Sequence, residues 1–538
     1  MTKVIYHANI HTLDPKNPVA SAMAIRDGKI VAVGSEAEIF AGFNRIGAFD
    51  AGGRTIIPGL TDAHIHFEYF ATGLQKVNCE TQTRAECLER VAERARHTPP
   101  GMWIFGHGWN QNTWPEGFGN PLELDQVAPH NPVYLTAKSL HAGWANSAAL
   151  RLAGVGQNTP DPAGGRLGRQ ADGSPNGILF ESAMQLIAEV IPEATLEQLE
   201  QALLQAQPAL IQMGLTGLHD FDRRRCFSAL QNLHQREQLS LRITKSLPIE
   251  DLSHAVQLGL RSGFGDETLR IGSLKGFADG ALGPHTAAMV MPYEDDPSNL
   301  GILLLDAETL FEIGKTAVEN GLSLAIHAIG DRANHEVLDA FSHLRNYEAV
   351  LSGDTRRRLR HRIEHVQLLH PADQARLAEL GIIASMQPIH ATSDMEMADR
   401  FWGERAALSY AWRTQKQHGA RLAFGSDAPV ESPNPFWGLH AAVTRRRANG
   451  SPGAEGWRAE QRSAESRTAR APQGKRQPVG TEPSRRLPRA RPRARRAPRA
   501  RRGGQRGGDG RTVRPVVRVG LVMNDAVTSQ PEASARKI

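Results

Sequence analysis

The sequence predicts an α/β chain organised around a (β/α)8 TIM-like barrel, preceded by a strand-rich segment at its N-terminus. Three observations lead there. First, residue types that bind metals each close a short apolar run. His64 and His66 end Thr55-Ile-Ile-Pro-Gly-Leu-Thr-Asp-Ala-His-Ile-His66, Lys275 ends Ile271-Gly-Ser-Leu-Lys275, and His327 ends Leu322-Ser-Leu-Ala-Ile-His327. His365 ends His361-Arg-Ile-Glu-His365 and Asp427 ends Leu422-Ala-Phe-Gly-Ser-Asp427. In a parallel barrel the C-terminal strand ends converge on one mouth, so residues this far apart in sequence meet there. Second, eight strand-like runs can be placed, the number that closes such a barrel. Third, 538 residues exceed one ordinary domain but suit a barrel of about 250 residues enlarged by insertions.

Residues 1–57 alternate short apolar runs, such as Met23-Ala-Ile25 and Ile30-Val-Ala-Val33, with turns. Asp27-Gly28 between two such runs is a strong hairpin signal. The barrel is expected over 58–457. Its first strand carries His64 and His66, whose side chains, two apart, share a face and can grip one ion together. Later strands are predicted at Leu215–Phe221, Leu241–Leu247, Leu269–Phe277, Leu322–Ile329, Arg362–Val366, Ile382–Gln387 and Leu422–Ser426. Helical patterns such as Leu196–Met213 and Ala307–Asn320 separate several of them, as right-handed βαβ units require. Residues from about 75 to 195 break this rhythm, with strand-like Met102–Phe105 and Val133–Ala137 among Gly/Pro-rich turns. They are read as an insertion over the barrel mouth that either carries specificity or elaborates the structure.

The histidines with a carboxylate favour a borderline divalent metal, zinc first. Three cysteines, Cys79, Cys87 and Cys226, cannot build a disulfide framework, so a reducing cytoplasm is the expected setting. The N-terminal residues lack the basic and apolar regions of a signal peptide, and no apolar run reaches the roughly 20 residues of a membrane span. The net charge of +6 describes neither half of the chain: residues 458–538 carry 22 Lys+Arg against 6 Asp+Glu, leaving 41 basic and 51 acidic residues before them. An acidic body carries a basic tail.

Several motifs now make the chain resemble a known family: Ile57-Pro-Gly-Leu-Thr-Asp-Ala-His-Ile-His66, Gly106-His-Gly-Trp-Asn-Gln111, Lys275-Gly-Phe-Ala-Asp-Gly-Ala-Leu-Gly283, His327-Ala-Ile-Gly-Asp-Arg332, Arg362-Ile-Glu-His365, Ser385-Met-Gln-Pro388 and Gly425-Ser-Asp-Ala-Pro-Val430. In this order, over roughly 1–457, they resemble the YtcJ-like metal-dependent hydrolases (amidohydrolase family 3) of the amidohydrolase superfamily, a branch that includes N-substituted formamide deformylases. The resemblance implies a distorted barrel, one or two divalent ions, and hydrolysis of an amide or related C–N bond. It implies that Asp427 both ligates metal and takes the proton from metal-bound water. It also implies that Lys275, on the fourth strand, is carbamylated and bridges two ions. The alternative is one ion, with Lys275 holding substrate or a surface charge, because an ammonium cannot ligate a cation.

Other residues carry weaker expectations. His107 and Trp109 match a family motif near the pocket and are candidates for substrate contact. His141 matches a position that usually reads Asp-Gly-His, but here follows Ser-Leu. Asp279 could bind substrate or support a histidine, or cap a turn through Asp-Gly. Gln387 and His390 could line the pocket or be packed within it. Glu364, by strand alternation, is expected to point away from the lumen and to pair with an arginine.

The function expected is therefore hydrolysis of a non-peptide C–N bond in a small amide-type substrate, with deamination or cyclic-amide opening as the rival. A phosphate-binding Gly-rich loop, paired Cys-x-x-Cys motifs and a Gly-x-Ser-x-Gly elbow are absent from the sequence. No membrane partner is expected, and homo-oligomerisation is left open. Nucleic-acid binding through Leu487–Arg502 is disfavoured for want of a folded recognition motif or interleaved aromatics, and a non-catalytic barrel because the ligand types are all present. The tail over 458–538 lacks apolar periodicity and is expected to be disordered. In the family a C-terminal strand pair completes the β-sandwich begun by residues 1–57, and that half is apparently missing. The Arg/Pro/Ala/Gly run is what GC-rich codons give out of frame, so a frameshift near 462–464 is the expected cause; translating the other two frames tests it.

Overall fold

The computed structural model describes residues 2–111, 114–138, 142–352 and 359–461. His141 and the tail from 462 onward lie outside the described residues, as do the expectations attached to them. The chain divides into two units, the first ending at Pro58 and the second beginning at Gly59.

In the first unit, strands pair in the order Lys29–Gly34, Ala22–Arg26, Thr2–Tyr6, Phe49–Asp50. A smaller sheet joins Val19–Ala20, Asn9–His11 and Thr55–Ile56. The Asp-Gly signal is realised at Arg26↔Lys29, where Asp27 and Gly28 both take positive φ (51° and 73°). That combination gives a two-residue hairpin the twist its strands need. Ile5 and Met23 from one sheet are buried in one cluster with Ile10 and Ala20 from the other.

The second unit contains eight parallel strands: β1 (Leu60–Ile65), β2 (Leu215–Asp220), β3 (Arg242–Pro248), β4 (Leu269–Phe277), β5 (Leu324–Ala328), β6 (Arg362–His365), β7 (Ile383–Met386) and β8 (Arg421–Phe424). They pair in sequence order, and a bridge from Ile65 to Ala428 brings the two edges together into a nearly closed barrel. The seven later strands lie within two residues of their predicted ends. Helices pack outside because their apolar residues recur at the helical period. Helix Leu196–Gln212, opened by a Thr195/Gln198 capping box, buries Leu199, Leu203, Ala206 and Leu210 in one cluster with Leu215 and Leu218 of β2. Truncating Leu203 to Ala would cost about 2–5 kcal/mol.

Between β1 and β2 the chain builds a six-stranded mixed sheet, in the order Gly165–Arg169, Pro175–Glu181, Ala142–Ala145, Val133–Ala137, Ile104–Trp109, Val77–Asn78. Its core gathers Cys79, Cys87, Trp109, Trp114 and Trp144. No helix among the described residues is long and apolar enough to cross a membrane.

Candidate metal centre

The ends of β1 and β8 are locked together by a carboxylate that lies between them. Asp62 accepts from the backbone N–H of His64 (3.0 Å) and Ser426 (3.0 Å), and from the Ser426 hydroxyl (2.6 Å). The backbone N–H of Asp427 donates to the His64 carbonyl (2.7 Å). Only glycine fits at 425, where a Cβ would stand 2.4 Å from the His64 nitrogen. Asp427 itself has φ +58°, a conformation uncommon outside glycine that is tolerated where the surroundings over-determine it. The result is that Asp427 Oδ1 lies 3.4 Å from Nε2 of both His64 and His66.

Four of the imidazoles around this carboxylate each have one nitrogen already engaged. His64 donates from Nδ1 to Glu364 (2.6 Å), His66 from Nδ1 to Asp222 (2.9 Å), and His365 from Nδ1 to the Gln387 amide oxygen (2.9 Å). His327 donates from Nε2 to the Gly280 carbonyl (2.8 Å). In the neutral ring such donation fixes the tautomer and leaves the other nitrogen unprotonated, which is the form that binds a metal. The rings crowd together, with centroids 5.0 Å apart for His64 and His365 and 4.5 Å for His327 and His365.

The groups that hold these rings are themselves held. Asp222 also accepts from the Glu68 N–H (2.5 Å), at the start of the helix that follows His66. Beside it, Asp220 pairs with buried Lys245 at 2.6 Å. Glu364 is fully buried and takes two hydrogen bonds from Arg362, one of them 2.9 Å long, so the arginine partner expected for it is present. Its expected direction is corrected. Strand alternation should send Glu364 away from His365, but His365 and Val366 adopt φ +74° and +46°. The backbone leaves the extended conformation there, and both side chains serve the barrel interior.

Burial sets the electrostatics. It pushes His64 and His365 well below the ordinary imidazole value, assisted by neighbouring cationic groups, and takes His327 down to about 3. Burial opposes charge on His66 too, but the Asp222 hydrogen bond and the charges of Asp222 and Asp427 outweigh it and hold His66 above its usual value. Asp427 is pushed up to about 6, mainly by burial. Lys275 is buried with its ammonium over the rings of Phe221 (4.9 Å) and Phe277 (4.7 Å), and desolvation lowers it to about 8.

A cavity of about 380 Å³ opens over this cluster, within the range of small-molecule sites. His64, His66, Lys275, His327, His365 and Asp427 all line it. His390, at the start of helix Pro388–Trp402, joins them, with Nε2 3.9 Å from Asp427. The remaining candidates are not among its lining residues. Trp109 is buried in the six-stranded sheet and donates its indole N–H to Leu135, so it has no face for substrate; His107 bonds Thr136 in the same sheet. Gln387 gives its amide oxygen to His365, while its buried amide nitrogen has no hydrogen-bond partner among the described residues. Asp279 accepts from three backbone amides, those of Ala288, Ile329 and Gly330, organising the loops after β4 and β5, and stands 3.6 Å from His327 Nε2, beside the kind of histidine it was a candidate to support. The supporting carboxylates Asp62, Asp222 and Glu364 were not assigned these roles from sequence, although Asp62, inside Thr-Asp-Ala-His, and Glu364, inside Arg-Ile-Glu-His, lay in recognisable motifs.

The donor set fits a divalent metal. Ligand atoms of His64, His66 and Asp427 lie within 4.8 Å of one another, as do those of His365, His390 and Asp427. With this cluster at the C-terminal end of a parallel barrel, the structure has the form of a metal-dependent hydrolase. The chain belongs to the amidohydrolase family, whose pattern matches residues 47–471. It is 33% identical over 461 residues to LONG AFTER FAR-RED 3 of Arabidopsis thaliana, covering 82% of this chain and 78% of that protein. Identity to YtcJ of Bacillus subtilis (strain 168) is 32% over 457 residues (82% and 84% covered). To the N-substituted formamide deformylase of Arthrobacter pascens it is 30% over 478 residues (84% of each). An uncharacterized metal-dependent hydrolase from Pyrococcus furiosus shares the fold with a TM-score of 0.67 at 26% identity, covering 86% of this chain and 92% of that one.

Proposed function

We propose that the protein hydrolyses a C–N bond in a small non-peptide amide, such as an N-substituted formamide or N-acyl compound. The observation that carries this reading is the set of four imidazoles, each with one nitrogen hydrogen-bonded and the other free, gathered about Asp427. His64, His66, His327, His365 and Asp427 would hold the ion, zinc being the choice their chemistry favours. When bound, such an ion supplies Lewis acidity and brings the pKa of water down to about 7. Asp427 accepts the proton of the attacking water and returns it to the departing nitrogen, a task suited to a carboxylate already displaced towards neutrality. Phe277, Leu282, Met397 and Val430 along the cavity wall suit an apolar N-substituent.

Lys275 fits the bridging carbamate: a lysine lowered to about 8 exposes some neutral amine, the form that takes up CO2, at neutral pH. Two ions and a carbamate form one reading; a single ion with a free Lys275 is the other. In the same spirit, the two sheets of residues 2–56 are read as one half of a β-sandwich. Cytoplasmic residence follows from the same reading of the cysteines.

The test is turnover of a panel of N-formyl, N-acyl and cyclic amides by zinc-loaded protein. Cleavage of N-substituted formamides or N-acyl amines is expected. Turnover confined to cyclic amides, or release of ammonia from amino-heterocycles alone, would overturn the substrate class.

A further inference from the structure

We infer that the protein has a second ligand site, for a phosphate-bearing small molecule, at the N-terminal end of the barrel. A cavity of about 490 Å³ opens there, large enough for more than a bare ion. It shares no lining residue with the metal cavity. Its walls come from the beginnings of strands: Arg270 near the start of β4, Arg362 and Ile383 as the first residues of β6 and β7, and Leu359 and Arg360 just before β6. The metal-facing His365 ends the same strand that Arg362 begins, so the two sites are about 10 Å apart along β6.

The chemistry of the walls is one-sided. Arg270, Arg360, Arg362 and His219 line the cavity, and no Asp or Glu does. Among the described residues, neither Arg270 nor Arg360 has a hydrogen-bond or ion-pair partner for its guanidinium. The hydroxyls of Thr244 and Ser246 add donors suited to anionic oxygens, while those of Ser262, Ser273 and Ser323 also line the cavity but bond one another and the Gly272 carbonyl. Ser246, Ser273 and Ser323 are buried, so part of this polar surface lies inside the barrel and is not merely a solvated rim.

Arg362 fixes the donor pattern. It donates from Nη1 to Nδ1 of His219 at 2.7 Å, which leaves the ring proton of His219 on Nε2. His219 is thereby a neutral donor, kept so by burial and by the adjacent guanidinium. Arg362 is buried and committed to Glu364, the Ala63 carbonyl (2.6 Å) and Ser385 (2.5 Å). Arg270 and Arg360 are exposed and, among the described residues, uncommitted, the pair able to close on an incoming phosphate with bidentate geometry. Arg362 already has its counter-charge in Glu364, but the two exposed guanidiniums repel one another, and a dianionic phosphate supplies the charge that offsets this.

The experiment is calorimetric titration of inorganic phosphate into the metal-loaded full chain, at constant ionic strength set with chloride. Wild type should bind one phosphate per chain saturably, and Arg270→Gln/Arg360→Gln should weaken that binding at least tenfold with an unchanged melting temperature. Asp427→Asn should leave the phosphate affinity as it was. Three results would overturn the proposal: no saturable binding above the chloride background, equal binding by the double variant, or binding lost on metal removal and indifferent to the arginines. The last would place the anion at the metal. Should the double variant melt lower, Arg270→Lys/Arg360→Lys, which keeps the charge but loses the planar fork, must still weaken binding; wild-type affinity in it would count against the site.

Discussion

Replacing Asp222 with Asn separates the orientation of a metal-facing histidine from its mere presence. The carboxylate is buried, and its two oxygens take two different donors: His66 Nδ1–H at 2.9 Å and the Glu68 backbone N–H at 2.5 Å. An amide has one acceptor oxygen, so whichever donor meets its NH2 loses its partner. A hydrogen bond to a charged group is worth about 1.5–3 kcal/mol, and losing the group that orients a ligating histidine typically costs about 10- to 100-fold in metal affinity. The two ranges agree, since about 1.4 kcal/mol is a factor of ten. The assay is zinc competition against a chromophoric chelator at fixed pH, with melting of the metal-free protein measured alongside. Zinc affinity should fall by about 10- to 100-fold. In a His66→Ala background the same change should add almost nothing, because the two residues act as one unit. Undiminished zinc affinity in Asp222→Asn, or an equal loss with and without His66, would refute the argument.

Three further outcomes follow from the same geometry. Zinc affinity should decline as pH falls, first through the raised value of His66 and then through about 6 as Asp427 protonates, because both groups must shed a proton to ligate. His64, His327 and His365, all held low, should contribute nothing in that window; proton release on binding, compared across buffers, reads this directly, and a flat profile between about pH 5 and 8 would contradict it. Asp427→Asn should retain much of the metal while turnover drops by about 10²–10⁴; undiminished turnover would remove Asp427 from the proton transfer. Gly425→Ala must force a Cβ between Asp62 and the His64 backbone, costing about 1–3 kcal/mol of overpacking. It should lower both melting temperature and zinc content, and a variant matching wild type in both would show that the β1–β8 junction is softer than argued.

Much of the barrel and of the ligand constellation was legible in the sequence because strand ends in a parallel barrel obey a local rule. An apolar run closed by His, Lys or Asp can be seen in five residues, and that is how His327 and Asp427 stood out. The supporting groups obey no local rule. Glu364 meets His64 across 300 residues of sequence, and Asp222 meets His66 across 156. Nothing in either neighbourhood marks the partner. Glu364 was further hidden because positive φ at His365 breaks the period-two alternation on which its direction was judged. Trp109 shows the opposite failure: it sits in a family-like motif, yet its ring is packed among Trp114 and its neighbours. A motif records a position in the chain, and burial decides what the side chain can touch.

The central claim, that this His/Asp cluster is the metal centre of a hydrolase, is tested most directly by reconstitution. Protein stripped with a chelator is given zinc in steps, with bicarbonate present, and turnover of an N-substituted formamide is followed against ions bound per chain. The account predicts no turnover in the stripped protein. Turnover should then rise with occupancy to a plateau at one or two ions, while His64→Ala stays inactive throughout. Full turnover with no ion bound, or zinc-dependent turnover by His64→Ala equal to wild type, would contradict it.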